Sequence, residues 1–482
     1  MPAPKERSTI KVQSERAILA AVRLPDSVYD HASPFGELRA LAEQAGAVAV
    51  GELEQHRDRP DAATFMGKGK VEEMRDLCNA LDAQVVIFDH DLSPRQLANI
   101  EEVVGKKIID RSELILDIFA SRATTHEAKL QVELAQMEYT YPRLRAMWDH
   151  LERITGGGGV GGVGTRGPGE QQLEIDRRLA QRKTLDLKRE LDVIYERKRR
   201  MVRDRKRDHF TVGLVGYTNA GKSTLFNALT GLSWGGGGAY ADDRVFATLV
   251  TRTRDWNLGG GIAVMLSDTV GFVRDLPHHL VASFRATLEE ATHADVLLIV
   301  LDIADPAAEL EYNAVIKTLD ELEDEVRETE RREHNLPEQN YEGEGWTPPK
   351  RILLLNKTDK LADNREVLIW QRRVPGAIAI SALQAPDGLG HAELRNAVLE
   401  AAQQGIVHAD ITVPLNDGKA IERLENRATV LDRQYEDTGR MVTMRVRIGR
   451  RQLDQLRSTS PRAIVREVAA ASRRDAAENG LA

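Results

Sequence analysis

The chain has 482 residues, enough for three or four domains, with 41% apolar and 29% charged residues and a net charge of −8. That balance excludes a globally basic nucleic-acid binder, and the single cysteine, Cys78, excludes an intramolecular disulfide. No apolar run reaches membrane-spanning length and Met1-Pro2-Ala3-Pro4-Lys5-Glu6-Arg7 lacks a signal-peptide core, so a cytoplasmic protein with no membrane span, monomeric when free, is expected.

Residues 1–16 read as a disordered lead. Residues 17–120 alternate strand and helix, as a small α/β domain with a parallel sheet would. Ala17–Val22, Ala47–Val50 and Val85–Phe88 are apolar strands; Phe35–Gln44, Val71–Leu81 and Arg95–Val104 have helical periodicity. Met66-Gly67-Lys68-Gly69-Lys70 opens one helix and reads equally as an anion site or a tight turn.

Residues 121–208 change to a helical period. Leu130, Leu134, Met137, Tyr141, Leu144, Trp148 and Leu151 form one stripe, which Pro142 is expected to kink. A second helix runs from about Gln172 to Lys206, some 50 Å long. Between them Thr155–Glu170 reads T-G-G-G-G-V-G-G-V-G-T-R-G-P-G-E, so the pair forms a hairpin with a glycine-rich tip. Arg177–Asp208 holds fourteen Lys and Arg against six Asp and Glu. Such a run is either a solvated helix face or a footprint for RNA phosphate.

Residues 209–405 carry the chemistry. After the apolar Phe210–Val215, Gly216-Tyr217-Thr218-Asn219-Ala220-Gly221-Lys222-Ser223-Thr224 forms a phosphate loop that leads into a helix. Its glycines let successive N–H groups and the helix N-terminus face an anion. Lys222 would reach the β- and γ-phosphates of a nucleotide, and Ser223 would ligate Mg²⁺. Ile262–Leu266 then ends in Asp268-Thr269-Val270-Gly271, a D-x-x-G that places a carboxylate for Mg²⁺ and the Gly271 N–H for a γ-phosphate. Ile352–Leu355 leads into Asn356-Lys357-Thr358-Asp359. The aspartate of N-K-x-D accepts two hydrogen bonds from guanine N1–H and N2–H₂, a pair adenine lacks. Ile378–Ile380 precedes Ser381-Ala382, whose backbone can meet guanine O6. In this order, each after an apolar strand, the motifs specify a GTP- or GDP-binding P-loop domain.

Thr248, in Phe246-Ala247-Thr248-Leu249, is the candidate for the second protein ligand to Mg²⁺. Thr251 and Thr253 compete with it, and the Trp234–Gly238 run supplies backbone freedom. Phe272 follows Gly271, where many small GTPases place a water-orienting glutamine. Phenylalanine cannot orient water, so hydrolysis by the chain alone should be slow and open to activation by a partner. Asp320–Pro349 is a charged insert; Glu309–Arg332 is expected to be helical and Asn335–Pro348 an exposed loop. Residues 406–482 form a further small α/β domain, with Val442–Ile448 as a strand and Arg451–Arg457 helical.

Several stretches, taken together, resemble the HflX family of translational GTPases. They are Thr64–Lys70, Ser93–Gln96, Ile109-Asp110-Arg111, Glu127–Gln136 (E-A-K-L-Q-V-E-L-A-Q), Arg166–Glu170 and Asp268–Leu276 (D-T-V-G-F-V-R-D-L). The resemblance departs at Val250-Thr251-Arg252 and at the long insert. It implies a GTPase that binds the large ribosomal subunit and splits stalled ribosomes, with the hairpin tip facing ribosomal RNA. A GTP-gated ribosome-assembly switch is the alternative. A degenerate scaffold is disfavoured, because Lys222, Ser223, Asp268 and Asp359 are all present.

Overall fold

A computed structural model describes residues 15–468 other than 26, 28, 156–167, 232–250, 260–261, 275–290, 334–345, 385–387, 404, 437–439 and 461. Strand β1 (Arg16–Arg23) carries the unbroken apolar run from Ala17 and is buried along that run. It pairs in parallel with β2 (Val48–His56) and β3 (Val85–Phe88), and β3 pairs in parallel with β4 (Lys107–Ile109). Helices α1 (Gly36–Gln44), α2 (Lys68–Ala80) and α3 (Pro94–Val104) make the crossovers. Ser93 and Gln96 form a capping box ahead of Pro94, which fixes where α3 begins. In the G-K-G-K stretch Gly67 is the N-cap of α2 and Lys68, Gly69 and Lys70 form its first turn; the Gly67 N–H donates to Gln55 at 2.8 Å and Lys70 pairs with Glu73 at 2.8 Å.

Two elements of this domain escape the pattern reading, β4 and helix α4 (Arg111–Arg122). The signal for α4 is Asp110, whose side chain caps the helix by accepting from the Glu113 N–H. Asp110 is fully buried and also takes hydrogen bonds from Tyr139 and Arg143, which fastens the next helix to this sheet.

That next helix, α5 (His126–Thr155), continues through Pro142, and α6 (Pro168–Asp208) returns beside it. At 41 residues α6 spans about 60 Å, longer than expected from its periodicity. Glu127 pairs with Lys198 and Glu138 with Lys188, so the two helices run antiparallel. Leu130, Leu134, Leu187 and Leu191 make the seam. Part of the cationic excess of α6 is therefore spent inside the hairpin, where Lys183, Lys188 and Lys198 each meet a carboxylate of α5. The glycine-rich tip and the side chains of 203–208 lie outside the described residues.

The central sheet has the order β10-β9-β8-β5-β7-β6. It comprises β5 (Thr211–Gly216), β6 (Arg252–Gly259), β7 (Ile262–Asp268), β8 (Val296–Asp302), β9 (Lys350–Asn356) and β10 (Ile378–Ala379). All pairs are parallel except β6 with β7. Strand β6 was not expected, because its exposed Arg252 and Arg254 mask the buried Trp256 and Leu258. Helices α7 (Lys222–Leu229), α8 (Ala308–Glu333), α9 (Arg365–Arg373) and α10 (His391–Gln403) flank the sheet. One expectation is corrected at the end of the insert. Trp346 is buried, not in an exposed loop, and its indole N–H donates to the Thr292 carbonyl at 3.0 Å.

The last sheet is antiparallel, with order β12-β13-β11-β14. Its strands are β11 (Ile406–Pro414), β12 (Thr429–Tyr435), β13 (Met441–Gly449) and β14 (Ile464–Val468), with α11 (Gly418–Arg427) and α12 (Arg450–Thr459) between them. This β-α-β-β-α-β order is ferredoxin-like.

The N-terminal and central sheets meet at a buried charge cluster. Asp89, at the carboxyl end of β3, pairs with Arg111 at 2.7 Å, Arg274 at 3.1 Å and Arg23 at 3.2 Å. Arg274 and Arg111 also reach Glu37, at 3.2 and 2.8 Å. Burial alone would raise the Asp89 carboxyl, but Arg111 and Arg274 with their neighbours hold it below its ordinary value. Asp89→Ala would leave the fully buried Arg111 without that partner. A loss of about 3–5 kcal/mol is expected, as for a broken buried pair. The depressed pKa gives the sign with pH: the contribution is present above the ordinary carboxylate value and disappears as pH falls through the folded-state value. Denaturant midpoints of wild type and variant at pH 7 check the loss, and a shift under about 1 kcal/mol would contradict it.

Candidate functional site

Strand β5 delivers Gly216 to the edge of the phosphate loop, where space is set by backbone. A Cβ on Gly216 would stand 2.2 Å from the Val300 carbonyl. At Gly221 φ is +96° and a Cβ would stand 2.3 Å from Asn356 Nδ2. Asn219 also adopts a positive φ, +61°, so the loop wraps as an anion cradle requires. Ala220 is fully buried, and Lys222, Ser223 and Thr224 form the first turn of α7.

Lys222 is buried and folds back on the loop, donating to the carbonyls of Gly216 at 3.1 Å and Tyr217 at 2.6 Å. Burial lowers its ammonium from the ordinary 10.5 to about 8, against the pull of Asp268 and Glu311. Ser223 donates to the fully buried Asp268 at 2.8 Å, so the two proposed metal ligands are adjacent. An alcohol and a carboxylate are hard oxygen donors, and with phosphate oxygens they fit Mg²⁺. Thr269, unremarked in the motif, is buried and bonds the Leu214 carbonyl at 2.6 Å, which ties the end of β7 to β5.

Gly271 touches the loop. A Cβ there would meet Thr218 at 2.8 Å and Lys222 Nζ at 3.1 Å. Phe272 exchanges backbone hydrogen bonds with the loop: its carbonyl accepts from Thr218 at 2.8 Å, and its N–H donates to Gly216 at 3.0 Å. Its ring is buried in the core. The residue at the glutamine position is thus packing, not facing a reacting water. The Tyr217 side chain points away from the phosphate side to Glu37, and its oxygen accepts from the Arg274 N–H at 2.8 Å. Only its backbone remains for phosphate. Behind the loop a cleft of about 510 Å³ is lined by Glu37, Tyr217, Asn219, Arg274, Asp302 and Glu311. Burial, with Asp305 and Asp302, pushes Glu311 up to about 8.

The base motifs converge on Asn356. This buried side chain donates to the Ala220 carbonyl at 2.7 Å and accepts from the Ala382 N–H at 3.0 Å. Lys357 has a φ of +61° and pairs with Asp302 at 2.5 Å. Asp359 is exposed and accepts from the Ser381 hydroxyl at 2.5 Å. Thr248 lies outside the described residues. Of its competitors, Thr253 sits in β6 with its hydroxyl 3.1 Å from that of Ser267. Thr251 immediately precedes Arg252, which stands opposite Asp268.

Three family models match the chain in order: a GTP-binding GTPase N-terminal model over 33–120, a GTP-binding GTPase middle-region model over 122–207 and a 50S ribosome-binding GTPase model over 211–339. The GTPase HflX of Lacrimispora saccharolytica is 46% identical over 65% of this chain and 72% of its own length. That of Escherichia coli K12 is 37% identical over 86% and 89%. A solved GDP complex of SsGBP is 25% identical, covers 81% of this chain and 99% of its own, and has a TM-score of 0.41. The chain belongs to the HflX family of GTPases. As an HflX-family GTPase it binds GTP and hydrolyses it to GDP.

The state of Lys222 gives a test. Phosphate beside the ammonium favours its charged form, so nucleotide binding takes up a proton above the free-state value of about 8. GDP affinity should be flat just below that pH and fall above it, by up to about tenfold per unit. Calorimetry in buffers of different ionisation enthalpy reads the proton uptake directly. Lys222→Met, which leaves every titration of the ligand in place, should abolish it. Equal uptake in wild type and variant would contradict the assignment.

Proposed function

We propose that this chain acts on the large ribosomal subunit and splits or rescues stalled ribosomes, using GTP to control the contact. The match of residues 211–339 to a 50S ribosome-binding GTPase model carries this reading. The long hairpin of α5 and α6 supports it, as an arm fastened to the N-terminal sheet at Asp110. Among the described residues no helix is long and apolar enough to cross a membrane. A cytoplasmic site of action follows from the ribosomal partner.

In this reading the backbone from Gly216 to Thr224 cradles the phosphates and Lys222 meets the β- and γ-phosphates. Ser223, Asp268 and Thr248 hold Mg²⁺, which supplies charge neutralisation at the phosphates when bound. The Gly271 N–H reports the γ-phosphate. Asp359 accepts from the guanine N1–H and N2–H₂ edge, Asn356 and Lys357 shape that pocket, and the Ser381–Ala382 backbone meets O6. With Phe272 packed in the core, no side chain directly after Gly271 orients water. The ribosomal partner supplies that positioning, with gains of up to several orders of magnitude.

The test is GTP turnover with and without purified large subunits across a salt series, with sedimentation of intact ribosomes in parallel. Turnover should rise steeply with subunits, the rise should weaken with salt, and intact ribosomes should convert to subunits only with GTP. Removal of Gly156–Gly164 should leave GTP binding intact and impair the conversion. Equal turnover throughout would remove the ribosome from the account, and binding confined to subunit precursors would favour an assembly switch.

A further inference from the structure

His391 is the first residue of α10 and is 2% exposed. The turn before it is tight. Gly390 has a φ of +75°, and a Cβ there would stand 2.0 Å from the Ala379 carbonyl. That approach brings the imidazole against the back of the base-recognition loop, with Nε2 3.0 Å from the Ser381 carbonyl oxygen. A carbonyl only accepts, so Nε2 carries the hydrogen. The other ring nitrogen, Nδ1, is buried and makes no hydrogen bond among the described residues. The polar reach of this side chain goes to one acceptor.

That acceptor is one edge of a planar peptide. The opposite edge is the Ala382 N–H, 3.0 Å from Asn356 Oδ1. The Ser381–Ala382 peptide is therefore held from both sides, by His391 at its oxygen and by Asn356 at its nitrogen. The Ser381 hydroxyl separately holds Asp359. His391 lies outside every motif that marks the site.

We infer that His391 is a positioning residue for base selectivity: its Nε2–H fixes the Ser381–Ala382 peptide in the orientation in which the Ala382 N–H is shared between Asn356 Oδ1 and the 6-oxo group of a bound purine. It acts through the peptide and not on the base. The inference rests on the assignment of Ser381 and Ala382 to guanine O6 made above. Loss of the donor lets the peptide rotate, which weakens recognition at position 6. Recognition at N1 and N2 by Asp359 is untouched.

The experiment measures competition binding of GDP, 6-thio-GDP and IDP to the full chain. 6-Thio-GDP keeps N1–H and the 2-amino group but offers a poor acceptor at position 6; IDP keeps O6 and lacks the 2-amino group. His391→Phe and His391→Met both remove the donor, and either suffices if the other does not fold. The preference for GDP over 6-thio-GDP should narrow about five- to tenfold, the scale of one neutral hydrogen bond. The preference for GDP over IDP should hold. His391→Gln, which keeps a side-chain N–H, should restore the first ratio. Folded donor-less variants with both ratios unchanged, or with both changed equally, overturn the role of His391. A wild-type protein that does not prefer GDP over IDP overturns the guanine assignment itself.

Discussion

The nucleotide site is organised by one amide. Asn356 sits at the end of β9 and joins two loops far apart in the chain, donating to Ala220 of the phosphate loop and accepting from Ala382 of the base loop. The glycine of the phosphate loop and the asparagine of N-K-x-D are the same constraint seen from two sides. A side chain at residue 221 would occupy the place of the Asn356 amide. Only glycine there lets the base and phosphate halves close on each other, and only a side chain that both donates and accepts can satisfy both backbones.

A second set of bonds ties this site to the N-terminal sheet. The segment after Gly271 is hydrogen-bonded to the phosphate loop through Phe272 and anchored on Asp89 and Glu37 through Arg274. Tyr217 of the phosphate loop reaches the same Glu37. The part of a P-loop GTPase that responds to the γ-phosphate is thus in direct contact with the domain that carries the hairpin. Any shift of Gly271 is felt by a buried ionic cluster, where small displacements are costly because the charges have no water to turn to.

The chemistry of the site was legible because each motif follows an apolar strand and ends at its carboxyl end, where open α/β sheets bind ligands. The strands through Val212, Leu266 and Leu354 announce themselves by unbroken apolar runs. Strand β6 does not, since Arg252 and Arg254 alternate with residues whose burial depends on a neighbour. Helix α4 was hidden behind Asp110, a cap that reads from sequence as an ordinary polar residue. Contacts between distant residues are the least visible: nothing near Tyr217 in the chain indicates Glu37, and nothing near Trp346 indicates Thr292. His391 gives no signal beyond the Gly388–Gly390 turn that precedes it.

The central claim is that the Asn356 amide couples base and phosphate recognition. Its direct measurement is competition binding of GDP and of pyrophosphate to Asn356→Ala, with Asp359→Asn as the comparison. Removing the Asp359 carboxylate should weaken GDP and leave pyrophosphate unchanged. Removing the Asn356 amide should weaken both, by about tenfold or more, because the Ala220 carbonyl loses its donor and the phosphate loop its brace. An Asn356→Ala protein that is folded and binds pyrophosphate as the wild type does would contradict the account.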